Sequence, residues 1–233
     1  MSKKLTKNRK IILGKIDKNN KYSLEEAFTL IKKISFSKFD ESIDISIRLG
    51  LDSRLSNQIV RGTVLLPHGI GKNVCVLALV TKDKELESKE AGADYVGLEY
   101  IEKIKSGWID DIDVIVAIPS VMNQLGTLGK ILGPRGLMPN PKLNTVSTNP
   151  GKSIKEIKSG KIIFKADRYG IIHSSIGRVS FSTKYLLNNF KIFINEVIRN
   201  KPSSSKVFYI KKIYLSTTMS PSILLDSKSF LKK

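Results

Sequence analysis

The side chains that could catalyse a reaction or bind a metal ion are few in this sequence. It contains one cysteine, Cys75, and two histidines, His68 and His173, which are too few for a structural zinc site. Cys75 lies in the apolar run NVCVLALV (73–80) without a neighbouring base, so we interpret it as an inert core thiol. The acidic cluster WIDDID (108–113) lacks further ligands and is interpreted as a solvated turn that caps the next element. We therefore expect no metal ion.

The segment LPHGIGKN (66–73) has the composition of a phosphate-binding loop but not its spacing. Leu66 and Asn73 stand where such a loop needs glycine and serine or threonine. Gly69 and Gly71 lack the third glycine of a dinucleotide-binding fingerprint. No residues are spaced as a catalytic triad or as a paired acid and base. The sequence therefore predicts a protein that is not an enzyme and has no cofactor, with a nucleotide-dependent enzyme as the alternative.

We interpret the same segment as a hinge between two domains. Pro67, His68 and Gly69 form the first crossing point, and Ser159 and Gly160 form the second. The glycines at both points permit a hinge motion.

The stretch GKILGPRGLMPNPK (129–142) contains three glycines, three prolines and three basic side chains. Each proline lacks a backbone donor and has a fixed φ, so we expect neither a helix nor a central strand here. The stretch is predicted to be a stiff loop that serves as scaffold. Arg135 and Lys142 are interpreted as solvated charges rather than as contacts to a partner.

The charge of the chain is large and unevenly distributed. With 40 basic and 21 acidic side chains, the net charge of +19 favours a polyanionic partner, either nucleic acid or an anionic membrane surface. Residues 1–67 carry a net charge of +7 and residues 160–233 carry +11, whereas residues 68–159 carry only +1. This distribution predicts one basic domain built from both termini and interrupted by a nearly neutral insertion.

The insertion, 68–159, alternates short apolar runs with helical stretches. Continuously apolar strands that alternate with helices predict a parallel sheet covered on both faces, in a Rossmann-like layout. The predicted strands are 73–80, 93–97 and 113–119, and the predicted helices are 83–92, 98–107 and 120–126, the last with Ser120 at its N-cap.

The two ends of the chain predict an α+β domain in which a sheet is backed by two helices. Ser23 and Glu26 form a capping box at the start of a helix over 23–34. The strict alternation of SIDISIRLG (42–50) indicates a half-buried antiparallel strand. Two strands are expected around a turn at Tyr169 and Gly170, followed by a helix over 185–198 and a strand over 206–216. The fold class is therefore α/β with two domains, an outer α+β domain and an inserted Rossmann-like domain.

We expect a cytoplasmic protein. A single cysteine fits a reducing compartment, the apolar runs are too short to span a bilayer, and the N-terminus lacks the apolar core of a signal peptide. Binding to an anionic membrane surface is a third hypothesis, but no strongly amphipathic helix with aromatic anchors supports it.

Several motifs, in order along the chain, resemble the L-one family of large-subunit ribosomal proteins, which form the mobile stalk beside the tRNA exit site. They are KFDESIDISIRLGLDSRLSNQIVRGTVLLPHGIGK, AGADYVG, ILGPRGLMPNPK, GIIHSSIGRVSF and STTMSPS. The resemblance implies a structural, ribosome-bound protein whose outer domain binds large-subunit ribosomal RNA. It also implies contact with other ribosomal components, assistance in releasing deacylated tRNA from the exit site, and repression of the protein's own mRNA.

The resemblance further implies two RNA-contact regions. One comprises Lys38, Phe39, Glu41 and Ser42, and the other comprises Thr217, Thr218, Met219 and Ser220. Hydroxyls can bond 2′-OH and phosphate groups, and the aromatic ring and thioether offer apolar contacts to bases. His173 and Ser175, on the predicted strand IIHSSIG, extend the proposed surface.

Each of these residues also has a purely structural interpretation. Phe39 could plug the core between helix and strand, and Met219 could fill a core gap. The two threonine hydroxyls could satisfy turn backbone, and Lys38 and His173 could be solvated side chains.

Ser220 departs from the family pattern, which usually has glycine after the methionine. If the position needs a positive φ, serine costs about 1–2 kcal/mol. Its hydroxymethyl group could otherwise crowd the RNA, or its oxygen could supply a replacement hydrogen bond.

Overall fold

The computed structural model describes residues 6–17, 20–51, 58, 60–203 and 209–226. The chain forms two compact units, which we call the terminal unit (residues 1–71 and 163–233) and the inserted unit (residues 72–162). The domain boundaries predicted at 67/68 and 159/160 lie within four residues of these divisions.

The helices and strands follow one another in three groups along the chain. The first group contains α1 (Lys7–Lys15), α2 (Leu24–Ile34), β1 (Ser42–Leu49) and β2 (Arg61–Leu65). The second contains β3 (Val76–Leu79), α3 (Glu85–Glu90), β4 (Tyr95–Val96), α4 (Tyr100–Lys105), β5 (Val114–Ala117), α5 (Met122–Gly126), α6 (Gly129–Arg135) and α7 (Pro150–Lys158). The third contains β6 (Lys161–Lys165), β7 (Ile171–Arg178), α8 (Thr183–Arg199), β8 (Ile210–Thr217) and β9 (Ile223–Leu224). The first residues of the strand predicted over 206–216 lie outside the described residues.

Helix α2 begins at the predicted capping box. Ser23 Oγ accepts a hydrogen bond from Glu26 N at 3.4 Å, and a Glu26 carboxylate oxygen accepts one from Ser23 N at 3.2 Å. These two bonds satisfy backbone donors that have no partner within the helix. Ala27 and Ile31, four positions apart on the helix, are fully buried.

The terminal unit is built around a four-stranded sheet in the order β7-β1-β8-β9, with antiparallel pairing between neighbours. The alternation predicted for β1 is confirmed, since Ile43, Ile45 and Ile47 are fully buried while the residues between them are only partly buried. Helices α2 and α8 contribute to the same core, where the rings of Phe28 and Phe190 meet edge to face at 6.1 Å. The apolar residues of the sheet face this core, and its polar residues lie on the opposite, open face.

The inserted unit contains a parallel sheet in the order β4-β3-β5. Leu77 and Leu79 of β3 pack in one apolar cluster with residues of α4, α5 and α6. Val76 and Ala78, which point to the other face, pack in a second cluster with residues of α7. Both faces of the sheet are therefore covered, as predicted for a Rossmann-like layout.

The prediction of a helix-free stretch over 129–142 is wrong. Residues Gly129–Arg135 form α6, and Pro134 lies in its last turn, where the missing donor removes one hydrogen bond from a short helix. Leu132 of the same helix is fully buried in the apolar cluster of the inserted unit, which favours the helix. The helix ends at Gly136, which has a φ of 73°, and Leu137 N bonds to Leu132 O at 3.1 Å.

The prediction that Ser120 caps a helix is also wrong. Ser120 lies inside a 3-10 turn at Pro119–Val121, and α5 follows from Met122. Pro119 begins the turn, because its fixed φ suits the first helical position.

Candidate nucleic-acid interface

The structure brings the two predicted contact regions together. Strands β1 and β8 are antiparallel neighbours, and Ile43 at the start of β1 pairs with Thr217 at the end of β8. The segment before β1 and the turn after β8 therefore meet at the same edge of the sheet. Ser42 N donates a hydrogen bond to Thr218 Oγ1 at 3.2 Å, and the two side-chain oxygens also lie 3.2 Å apart.

Glu41 connects these two segments from below the surface. Its side chain is fully buried, which differs from the expected RNA contact. One carboxylate oxygen accepts bonds from Ser35 Oγ at 2.9 Å and Ser37 N at 3.2 Å, and the other accepts a bond from Met219 N at 3.2 Å. The buried Thr217 hydroxyl lies close to the carboxylate but outside strict hydrogen-bond geometry. Glu41 and Thr217 therefore position the surface rather than form it.

The charge of Glu41 is strongly favoured in the folded protein. Burial by itself opposes ionisation and would raise the pKa of the carboxyl group. The nearby Thr217 hydroxyl and the hydrogen bonds from Ser37, Met219 and Ser35 together outweigh burial and lower the pKa to about 2. The carboxylate is therefore a fixed acceptor that holds both segments at any physiological pH.

The apolar side chains at this edge are exposed. Phe39 retains 55% of its accessible surface, and so does Met219. Lys38 and Thr218 are exposed beside them. The alternative that Phe39 plugs the core is therefore wrong, and so is the alternative that Met219 fills a core gap. An aromatic ring and a thioether are thus presented to solvent beside a lysine and hydroxyl groups.

Ser220 has a defined structural role in the turn. Among the described non-glycine residues only Asn144 has a positive φ, so Ser220 does not carry the strain considered above. Its hydroxyl oxygen accepts a hydrogen bond from Thr217 N at 2.9 Å, and the same hydroxyl donates to Pro221 O at 3.2 Å. The side chain therefore closes the turn by internal hydrogen bonds.

His173 and Ser175 lie on the open face of the same sheet. His173 Nδ1 lies 3.0 Å from Ser46 Oγ, and its Nε2 lies 3.8 Å from an Asp167 carboxylate oxygen. Ser175 Oγ donates to Ile43 O at 3.4 Å. The separation from Asp167 is too long for the hydrogen bond that orients a general base, so the trio does not form a catalytic triad.

Sequence reasoning missed the centre of this open face. Asp44 stands opposite Ser175 on one neighbouring strand and Ser216 on the other. Burial raises the pKa of the Asp44 carboxyl group. These residues line a shallow depression of about 450 Å³. The alternation of β1 placed Asp44 and Ser46 on its polar side, but only the strand pairing shows which residues surround them.

The first predicted hinge segment is bonded to helix α8. His68 stacks on the ring of Tyr185 at 4.0 Å, and its backbone N donates to Asn189 Oδ1 at 3.3 Å. Asn189 Nδ2 donates to Gly69 O at 3.0 Å. Pro67 lies in the turn before these bonds. Hinge motion here stays a prediction.

The second predicted hinge segment follows α7. Ser159 occupies the C-cap of that helix, and Gly160 has a φ of 106°. This positive φ is one that a glycine adopts without steric cost.

Cys75 and Asp113, which were considered for catalysis or metal binding, lie close together in the inserted unit. Cys75 lies just before β3 and is partly buried; burial and the nearby carboxylates of Asp94 and Asp113 raise the pKa of its thiol. Asp113 accepts a hydrogen bond from Cys75 N at 3.0 Å and pairs with Lys72.

In the part of the chain that the structure describes, no cluster of three potential metal ligands occurs. No helix in the same part is long and apolar enough to cross a membrane. That the protein does not bind a membrane surface stays a prediction.

The two units differ strongly in charge. The terminal unit carries 27 basic and 10 acidic side chains, a net charge of +17. The inserted unit carries 13 and 11, a net charge of +2. The proposed contact residues belong to the terminal unit, so they lie in the part of the protein with the stronger positive potential.

Comparison with known proteins identifies close relatives. The sequence model of the ribosomal protein L1p/L10e family matches residues 31–221. The chain is 59% identical to the large ribosomal subunit protein uL1 of Phocaeicola vulgatus over 227 residues, which cover 97% of each chain. It is 57% identical to that of Flavobacterium psychrophilum, covering 97% of this chain and 99% of the relative. It is 56% identical to that of Porphyromonas gingivalis, covering 97% of each chain.

Proposed function

The chain belongs to the ribosomal protein L1p/L10e family, and we propose that it binds large-subunit ribosomal RNA through the edge of its four-stranded sheet. It is a structural protein of the large ribosomal subunit and not an enzyme, and it is ribosome-bound in the cytoplasm. The proposed contact surface consists of the exposed parts of residues 38–42 and 217–220, continued along the open face by His173 and Ser175.

One observation carries this proposal. Phe39 and Met219 expose 55% of their surfaces at a place where two segments far apart in sequence are held together by the buried Glu41 carboxylate. Exposing large apolar groups on a rigid, hydrogen-bonded frame gives folding no benefit. The exposed ring of Phe39 and thioether of Met219 suit the stacking of unpaired bases, while Thr218 and Ser42 offer hydroxyls to ribose and phosphate groups.

The proposal is tested by measuring RNA affinity of the full chain and of the Phe39→Ala variant. Filter binding to in vitro transcribed large-subunit ribosomal RNA, with small-subunit RNA as competitor, gives the dissociation constant. We expect Phe39→Ala to weaken binding by about 1–3 kcal/mol, the usual worth of one stacked base. Because the ring is exposed, the free energy of unfolding should change by less than about 0.5 kcal/mol.

The matched control is Tyr169→Ala, which removes another exposed aromatic ring from the terminal unit at a position outside the proposed surface. It should leave the RNA affinity unchanged. Equal affinities for wild type, Phe39→Ala and Tyr169→Ala would contradict the proposed surface.

We also propose that the protein assists the release of deacylated tRNA from the exit site. Membership of the family supports this role. Ribosomes depleted of the protein and then reconstituted with it should release labelled deacylated tRNA faster than the depleted particles do. Equal release rates would contradict the role.

A third proposal is that the protein represses translation of its own mRNA, because one RNA surface can accept a second RNA that imitates the ribosomal site. Added protein should then reduce in vitro translation of that mRNA but not of a control message. Phe39→Ala should relieve the repression in proportion to its loss of affinity for ribosomal RNA. Repression that persists in this variant would place the mRNA on a different surface.

A further inference from the structure

A groove of about 400 Å³ lies between helix α1 and the turn that follows β8. Its lining includes Thr6, Arg9 and Ile12 from the N-terminal segment, Phe36 from the segment after α2, and Met219 and Pro221 from the turn. Met219 therefore belongs both to this groove and to the proposed RNA surface, so the two are continuous.

The groove combines an apolar lining with a free positive charge. Ile12 is 5% exposed and Phe36 is 42% exposed, which leaves an accessible aromatic ring beside a buried aliphatic side chain. Arg9 is exposed, and among the described residues it makes no ion pair or side-chain hydrogen bond. Thr6 occupies the N-cap of α1, but its side chain makes no capping hydrogen bond. The side chains of Arg9 and Thr6 thus retain hydrogen-bonding capacity for a ligand.

Helix α1 gives the groove a strongly positive wall. Its sequence, KNRKIILGK, contains four basic side chains and no acidic one. Within the helix only Ile12 is buried, so most of its surface remains available to a partner. A helix of this kind gains little from packing but attracts phosphate groups.

We propose that this groove holds an unpaired nucleotide of the bound RNA, with its base against Phe36 and Met219 and its phosphate at Arg9. Planar bases stack on aromatic rings, and a guanidinium group binds phosphate through two parallel hydrogen bonds. This inference rests on the proposed RNA-binding function, because the nucleotide would belong to the same RNA that contacts Phe39. An acidic peptide could use the charge of α1, but it would not need the continuity between the groove and the RNA surface.

The experiment uses the full-length chain and the fragment of large-subunit ribosomal RNA that the wild type protects from nuclease digestion. Affinities are measured for Arg9→Gln, Phe36→Ala and the matched control Lys10→Gln, which removes the same charge from the next position of α1. We expect Arg9→Gln and Phe36→Ala to weaken binding at least tenfold, and Lys10→Gln to weaken it less than threefold. With 4-thiouridine in the RNA, irradiation should crosslink a residue of the groove.

Phe39→Ala separates this inference from the function on which it rests. If Phe39→Ala weakens binding, while Arg9→Gln behaves like Lys10→Gln and Phe36→Ala binds like wild type, the groove is empty in the complex and the inference is wrong. If the wild type itself does not bind the RNA, the proposed function fails first. An acidic peptide would be indicated if poly-glutamate protected Arg9 and Phe36 while the RNA did not.

Discussion

Replacing Glu41 with glutamine should loosen the proposed RNA surface without touching its exposed side chains. The carboxylate accepts hydrogen bonds from Ser35 and Ser37 with one oxygen and from Met219 with the other. In Glu41→Gln, one of these oxygens is replaced by an NH₂ group. This group is itself a donor, so it cannot accept the hydrogen bond that the oxygen accepted. At least one backbone or side-chain donor then loses its partner in a buried site.

The size of the effect follows from the pKa of Glu41, which the folded protein lowers from 4.5 to about 2. Each pKa unit corresponds to about 1.4 kcal/mol, so the charged form contributes about 3 kcal/mol to stability. Because the folded-state pKa is the lower one, this contribution is fully present above about pH 4.5 and is lost as the pH falls towards 2. Glu41→Gln should therefore cost about 3 kcal/mol at pH 7 and progressively less below pH 4.5.

Hydrogen exchange measured by NMR suits this test, because it reports on individual amides. The amides of Ser37 and Met219 donate directly to Glu41 and should lose protection in Glu41→Gln at pH 7. Trp108, the only tryptophan, lies in the inserted unit, so its fluorescence reports on the unfolding of that unit. This unfolding serves as an internal control and should be the same in Glu41→Gln and in wild type. If protection at both amides were unchanged, or if wild type and variant had the same pH dependence between 5 and 2, the assigned role of Glu41 would be wrong.

Three further predictions concern the same unit. Ser220→Gly should lower the protection of the Thr217 amide by about 1–2 kcal/mol, because the Ser220 hydroxyl that accepts its hydrogen bond is removed. Unchanged exchange at that amide would count against this role. Asn189→Ala should destabilise the protein by about 3 kcal/mol in urea unfolding and expose the His68 amide, because Asn189 is fully buried and bonds to three backbone groups. Asn188 is the exposed neighbour of Asn189, and Asn188→Ala should lower the free energy of unfolding by less than about 0.5 kcal/mol. If the two variants were equally destabilised, the hydrogen bonds of Asn189 would not have the stabilising role assigned to them. RNA affinity should fall with salt with a log–log slope of about −4 if six phosphates are neutralised, at about −0.7 each; a slope near zero would exclude an electrostatic interface.

Local signals predicted much of the fold. The capping box at Ser23 and Glu26 acts within four residues, so it could be identified without knowing the rest of the structure. The period-two pattern of β1 predicted both its strand geometry and its buried side, because alternation fixes which side chains share a face. The separation of basic and neutral segments likewise follows from counting charges along the chain.

Features that depend on distant contacts were not predictable in this way. Helix α6 forms although it contains Pro134, because Leu132 is buried against residues of the parallel sheet and its other helices. No local rule indicates that burial. Glu41 contacts Met219 across 178 positions of sequence, and this contact depends on the register between β1 and β8. The resemblance implied that Glu41 contacts RNA, but only the strand pairing shows that its side chain is buried and bonded to the turn after β8.

The position of β8 between β1 and β9 determines how late in synthesis the four-stranded sheet can be completed. The proposed RNA surface needs residues near position 40 and residues near position 220, so a nascent chain cannot assemble it before the residues around position 220 have been made. A prematurely terminated chain that ends before Ile210 lacks a central strand of the sheet. Such a fragment would lack β8, which is one of the two neighbours of β1, and the turn that carries Met219. Abortive products of translation would therefore not compete with the finished protein for its RNA.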